Sequence, residues 1–217
     1  MWSRYRTFSW RGEEMSLKIL NLYAGIGGNR KLWEGDIEVT VVEIDEEIAG
    51  IYKYNFPQDK IIIGDAHEYL LNHYQEFDFI WASPPCPTHS KLNFSRKDKS
   101  YPDMKIYQEI IFLKTWFKGK WVIENVIPYY EPLIKPSVML GRHYFWSNFN
   151  ISLKKFINID VARSTQEELS KDLDMPIPRI CARLLLRNCV KPELGLHILK
   201  EAFKVKQQIL DLSEDKS

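Results

Sequence analysis

Cysteine is scarce in this chain. Its 217 residues include three, Cys86, Cys181 and Cys189. So sparse and odd a set excludes a disulfide framework and fits a reducing compartment. No two of them form a CxxC pair and the five histidines do not cluster, so the usual basis for a structural zinc site is missing and no metal is expected. No apolar run is long enough to cross a bilayer. Met1 to Glu14 carry Arg4, Arg6 and Arg11 but lack the apolar stretch of a secretory signal, and they are expected to form an extension outside the fold. A large excess of charge is absent too. The formal net charge is +1, which excludes a basic coat for nucleic acid.

What is present is an alternation of strand and helix signals. Residues 17–23, 37–42, 61–63, 77–82, 121–123 and 143–146 are apolar runs rich in β-branched or aromatic residues and read as strands. Between them lie a short helix running from a glycine turn through Trp33, a helix capped by Asp45 and stopped near Pro57, one capped by Asp65, and a helical period over Met104–Phe117. That order implies right-handed βαβ units and an α/β, doubly wound, mostly parallel sheet of Rossmann-like type. The core is expected over residues 15–150. Residues 151–179 are polar and weakly patterned and read as a linker. Two helices, Pro176–Arg187 and Pro192–Gln207, complete the core within 180–210, and 211–217 form a tail.

The strand ends carry the first chemical signal. Gly25, Gly27 and Gly28 sit between a strand and a helix, where an open α/β sheet brings its backbone against a ligand. A dinucleotide site needs a third glycine, and Arg30 fills that slot, which disfavours a nicotinamide or flavin enzyme. Glu43 ends the second strand and can accept bonds from both hydroxyls of a ribose. Asp65 ends the third and can accept one from an adenine amine. Glycine, Glu and Asp at three strand ends form a nucleoside-binding row without a phosphate clamp. S-adenosylmethionine is such a nucleoside.

The second signal is Ser83-Pro84-Pro85-Cys86. Two prolines end the fourth strand and stiffen the turn, leaving a cysteine at the mouth of the sheet. Methyl transfer to cytosine C5 requires a nucleophile at C6, an acid near N3 and a base flipped from its stack. Cys86 can supply the thiolate if its surroundings lower its pKa. Glu124, at the end of the fifth strand with Asn125 and Val126, can supply the acid if burial raises its pKa. Enzymes that methylate amino groups place an aromatic residue after the Pro-Pro turn, so Cys86 argues against that class.

Leu22-Tyr23-Ala24-Gly25-Ile26-Gly27-Gly28, Glu43, Gly64-Asp65, Ser83-Pro84-Pro85-Cys86 and Glu124-Asn125-Val126, in this order, resemble the motifs of the DNA cytosine-C5 methyltransferase family. Asn188-Cys189-Val190-Lys191-Pro192 resembles the family's last motif, which folds back beside the glycine turn. The resemblance implies an S-adenosylmethionine-dependent DNA cytosine-C5 methyltransferase with a methyltransferase-type Rossmann-like fold. It implies that Cys86 is the nucleophile, that Glu124 protonates the cytosine, and that Arg142 stands near the ring. Tyr23, Ala24, Gly25, Ile26, Gly27, Gly28, Glu43, Ile44, Asp65, Ala66, Pro84, Asn188 and Val190 are implied to hold the cofactor. Ser83, Pro85, Asn125 and Val126 are implied to line the substrate.

The family inserts a large recognition region before its last motif, and here the interval is short, so 151–179 reads also as a vestige of it. That shortness supports an alternative reading, a cofactor- and DNA-binding subunit that needs a separate specificity partner or a second copy. Lys91–Tyr101, with Arg96, Lys97 and Lys99, follows Cys86 and is expected to close over a flipped base with its cations on the DNA backbone. A cytoplasmic location and a role in marking DNA against restriction are implied by the resemblance alone.

Overall fold

In the computed structural model, residues 16–94, 97–98, 100–156, 163–175 and 182–204 are described. Seven strands form one sheet: β1 (Leu17–Leu22), β2 (Ile37–Glu43), β3 (Lys60–Ile63), β4 (Phe79–Ala82), β5 (Lys120–Val126), β6 (Val138–Leu140) and β7 (His143–Ser147). Their order is β3-β2-β1-β4-β5-β7-β6. The pairs among β1 to β5 are parallel, whereas β7 runs antiparallel to both β5 and β6. The order reverses between β1 and β4, and the crevice outside that reversal is where doubly wound sheets place ligands. The mostly parallel α/β fold expected from the sequence is the one found.

The sheet is apolar on both faces because helices cover both. Alternation along the strands divides the core. Ile19, Val39, Val41, Phe79, Trp81, Val122 and Phe145 pack on one face. There they meet α1 (Glu46–Asn55), α5 (Gln166–Leu173), α6 (Ala182–Asn188) and α7 (Pro192–Ala202) through Tyr52, Leu169, Leu186 and Ile198. Leu20, Leu22, Val42, Ile80 and Ile123 face the other way, against α2 (Ala66–His73) and α4 (Lys105–Trp116) through Leu70, Ile110 and Leu113. Asp45 caps α1 by accepting from Glu47 and Ile48, and Asp65 caps α2 by accepting from Glu68. A four-residue helix, α3 (Lys91–Phe94), follows the Pro-Pro turn.

Four local expectations change. The helix expected through Trp33 is instead a run of i→i+3 turns, with Arg30 bonded to Gly27, Lys31 to Gly28 and Trp33 to Arg30. Regular helix is broken because Asn29 and Arg30 are buried and their side chains make tertiary bonds. The short strand β6 escaped the pattern reading, being three residues long. Residues 151–179, read as a linker, contain α5. Its Thr165 and Glu168 form a capping box, and its Leu169 and Leu173 enter the core with Met175. Of the two C-terminal helices, the first begins at Ala182 among the described residues and the second stops at Ala202, where helix had been expected to Gln207; residues 176–181 and 205–217 lie outside the described residues.

Candidate active site

The glycine turn follows β1, and its three glycines do three different things. Gly27 adopts φ +87°, and a Cβ there would lie 2.4 Å from Phe56 and 2.7 Å from Tyr52. Gly28 lies against the last motif, where a Cβ would meet the Val190 carbonyl oxygen at 2.5 Å and Cys189 at 3.0 Å. Gly25 adopts φ +56°, and a Cβ on it would meet nothing within 4 Å. Only Gly25, then, opens a cradle in front of the sheet. Gly27 and Gly28, assigned to the cofactor by resemblance, are small because protein packs against them. Ala24 and Ile26 bury their side chains in the core, which leaves their backbone for a ligand. Asn188 is exposed at the end of α6 and Val190 is buried.

Arg30 is the strap of this loop. Its Nε and Nη2 meet the two Asp59 carboxylate oxygens at 2.9 and 3.1 Å, its Nη1 donates to the Trp33 carbonyl, and Tyr52 also donates to Asp59. Arg30 and Asp59 are buried. Tyr23, at φ 56°, turns its hydroxyl back to Glu109 at 2.5 Å, and His67 Nδ1 lies 3.0 Å from the same oxygen.

The acids of the row stand at neighbouring strand ends. Glu43 Oε2 accepts from Gly25 N at 2.9 Å, and Oε1 accepts from Ile44 N and Asp45 N at 2.9 and 3.2 Å. These bonds fill three of about four lone-pair sites on a carboxylate. One acceptor position remains, so contact with both ribose hydroxyls requires the Gly25 bond to yield. Ile44, beside it, is 69 % exposed, an apolar side chain with no place in the core. Asp65 is held below the usual carboxylate range, chiefly by the Glu68 backbone N–H it caps and with help from Lys105. Ala66 buries its methyl behind it. An open Gly25, an exposed Ile44 and two carboxylates together fit an adenosine moiety.

The chemical end is built on β4, β5 and β7. The Ser83 hydroxyl accepts from Trp81 Nε1 at 2.9 Å, and Pro84 offers its carbonyl to Asn125 Nδ2 at 2.9 Å. Asn125 therefore ties the Pro-Pro turn after β4 to the end of β5. It also accepts from Val126 N. Pro85 is exposed and Cys86 is half-buried. Beyond Cys86, the buried Asn93 bonds both Thr88 and Ser100 and so pins together the two ends of the loop between them. Lys97 on that loop is exposed; Arg96 and Lys99 lie outside the described residues.

Two protonation expectations are corrected here. Burial, then the charge of Glu124, push the Cys86 thiol up, while its own backbone and Arg142 pull it down; the net direction is up. For Glu124 burial also pushes up, but His143, Ser83 and Arg142 more than offset it, so its carboxyl lies below the usual range. The principal partner is His143, whose Nδ1 is hydrogen-bonded to Glu124 Oε1, both side chains being buried. Arg142 spends its guanidinium elsewhere, on the carbonyls of Arg187 and Cys189 in the last motif. It still lies close enough to favour charge on Glu124 and on Cys86. Cys189 is pushed up to about 12 by burial and is an inert packing thiol.

The structure thus brings Cys86, Ser83, Glu124, Asn125 and Arg142 together on one side of the sheet's switch point, and the glycine turn, Glu43 and Asp65 on the other. His143 went unnoticed in the sequence. Its signal was its place as the first residue of a strand, directly after Arg142. Among the described residues there is no cluster of three or more His, Cys, Asp or Glu side chains fit for a metal ion, and no helix long and apolar enough to cross a membrane.

The family model described as C-5 cytosine-specific DNA methylase matches residues 17–127. A tRNA (cytosine(38)-C(5))-methyltransferase of Spodoptera frugiperda is 35% identical over 79 residues, 33% of this chain and 24% of that protein. The Homo sapiens protein of the same name is 32% identical over 82 residues, 35% of this chain and 21% of that protein. The chain therefore spans less than a quarter of either relative's length in these matches. Among solved structures, a SAM-dependent methyltransferase from Agrobacterium tumefaciens matches with a TM-score of 0.38 at 16% identity, over 54% of this chain and 41% of that one.

Proposed function

The chain belongs to the C-5 cytosine-specific DNA methylase family, whose cofactor is S-adenosylmethionine, and on that premise we propose that it methylates cytosine C5 in DNA through a covalent Cys86 adduct. The observation that carries this reading is the pairing of Cys86 and Glu124 at the ends of adjacent parallel strands, held in place by the bond from Asn125 to the Pro84 carbonyl. When bound, S-adenosylmethionine supplies the methyl group. The open face of Gly25, Ile44, Glu43 and Asp65 hold its nucleoside part.

The Cys86 thiol gives up its proton to solvent and the thiolate adds to C6 of a flipped cytosine while Glu124 gives a proton to N3; the electron pair released by addition makes C5 nucleophilic. The negative charge of Glu124 opposes the thiolate, whereas Arg142 favours it. A proton held on Glu124 removes that opposition, so the proton that activates the ring also favours the nucleophile. After transfer the C5 proton passes to water acting as base, the S–C6 bond breaks and the N3 proton returns to Glu124.

Two observations support further readings. The named relatives favour tRNA as the polynucleotide. The use of α5 for core packing leaves little of the 151–179 interval for reading a target, which favours a separate specificity partner. Labelled methyl transfer to duplex DNA, single-stranded DNA and tRNA, with base-resolution mapping, separates them. We expect label at C5 of cytosine in DNA, and Cys86→Ser to lose turnover while keeping cofactor binding. Label confined to tRNA replaces the substrate. No label on any of them replaces the autonomous enzyme with the subunit.

A further inference from the structure

We propose that His143 is the proton partner of Glu124, a positioning residue that loads the acid acting on the target base and makes methyl transfer fall away at alkaline pH. The inference rests on the cytosine-C5 reading above. It begins with register. β5 and β7 are antiparallel, with Glu124 opposite Phe145 and Val126 opposite His143. Glu124 and His143 are therefore diagonal neighbours on one face of the sheet, within reach across two strands. Both are buried, and Nδ1 of the imidazole is hydrogen-bonded to Oε1 of the carboxylate.

Such a pair has a specific chemical use. Beside His143, Glu124 rests in its charged form: burial pushes its carboxyl up, but the imidazole, with Ser83 and Arg142, more than offsets that push. A proton on His143 sits one hydrogen bond away. In the step, the His143 Nδ1–H bond breaks as a Glu124 O–H bond forms. That O–H bond breaks in turn as N3–H forms on the ring, with Cys86 supplying the electron pair at C6. Elimination of Cys86 returns the proton by the same route, so nothing is consumed. The other charged or titratable groups in the neighbourhood are Arg142 in the turn just before β7 and Cys86 in the turn after β4; Arg142 in turn reaches the Arg187 and Cys189 carbonyls. The ring of Phe145 lies 6.2 Å from the imidazole and shields one side of it. Arg142 keeps its charge across the working range and Cys86 is spent as the nucleophile, which leaves His143 as the neighbour that can hand a proton to Glu124.

Two substitutions test this. His143→Arg keeps a positive donor beside Glu124 but does not release its proton. His143→Gln keeps an N–H donor and removes the charge. In single-turnover transfer we expect the wild type to show an alkaline limb that belongs to the pair as a unit. We expect His143→Arg, which lends no proton, and His143→Gln each to slow transfer by about a hundredfold at neutral pH, and neither to show that limb. A wild-type profile in both variants overturns the proposal, as does an unchanged alkaline limb in His143→Arg. A readout independent of turnover is the 13C NMR titration of the Glu124 carboxyl in the full chain. Its midpoint rises in His143→Gln if the imidazole is what holds it down, and an unmoved midpoint also overturns the pair. Absence of methyl transfer by the wild type counts against the functional reading alone, because the carboxyl titration needs no substrate.

Discussion

The two ends of the site are built differently. At the cofactor end, backbone groups and packing do most of the holding. Glu43 ties three backbone amides, Gly27 and Gly28 let aromatic rings and the last motif close in, and Arg30 straps the loop to Asp59. At the chemical end, titratable side chains at or beside the ends of three strands meet: Cys86, Glu124, His143 and Arg142. The difference teaches where each end is vulnerable. A substitution in the first should cost folding, and cofactor affinity with it. One at the reacting atoms of the second should cost the reaction first, as expected of Cys86→Ser.

Arg30 offers the largest break in this contrast. Removing it leaves the Asp59 carboxylate buried with Tyr52 as its side-chain partner. Breaking a buried pair by deleting one member costs about 3–5 kcal/mol. We expect Arg30→Ala to lower the urea midpoint of unfolding by that measure and to lose cofactor binding in proportion. Arg30→Met with Asp59→Asn removes both charges and should recover much of the loss. If the double variant is no better than the single one, the strap acts through shape and not through charge.

A smaller and sharper pair of changes lies within the glycine turn. Gly27→Ala drives a methyl into Tyr52 and Phe56 from a left-handed backbone, and overpacking of this kind costs about 1–3 kcal/mol in addition to the φ strain. Gly25→Ala carries the left-handed strain alone, about 1–2 kcal/mol, because its Cβ enters open space. Thermal melting should therefore rank Gly27→Ala as the less stable. Titration with S-adenosylmethionine should show a loss of affinity in Gly25→Ala larger than its loss of stability explains. Equal affinity in Gly25→Ala and wild type would move the nucleoside away from that cradle.

Much of the cofactor end was legible in the sequence because its signals are local. A glycine between strand and helix, an acid at a strand end and an Asp before a helix each state their role within a few residues. The chemical end was legible only in part. Cys86 and Glu124 stand out as single residues at strand ends, whereas the His143–Glu124 pair depends on β7 entering beside β5 in antiparallel register, which no local pattern specifies. Arg30 was read only as an obstacle to a dinucleotide, since its partner Asp59 lies across the α1–β3 connection. Asn93 fell inside a basic loop and looked like one more polar residue, yet it closes that loop at its base. β6 and α5 were missed for a related reason. One is too short to show a period, and the other shows its apolar side chains only where the core receives them.

The smallest expected effect lies behind the glycine turn. His67 on α2 bonds Glu109 on α4, and the same carboxylate receives Tyr23 at the start of the glycine turn. The hydrogen bond to Glu109 raises His67 above its ordinary value, against the opposing pull of burial. A histidine raised on folding adds stability that is fully present below its unfolded value, about 6.5. That increment is lost as pH rises through the higher folded value. His67→Gln should therefore reduce the melting temperature at mildly acidic pH and leave it nearly unchanged at alkaline pH, where the imidazole has already given up its proton. Tyr23 keeps its own bond to Glu109 throughout, so the glycine turn should hold its shape and cofactor affinity should change less than stability does. A loss of stability independent of pH would mean that His67 serves α2 and α4 by packing, and that the Glu109 bond contributes nothing through charge.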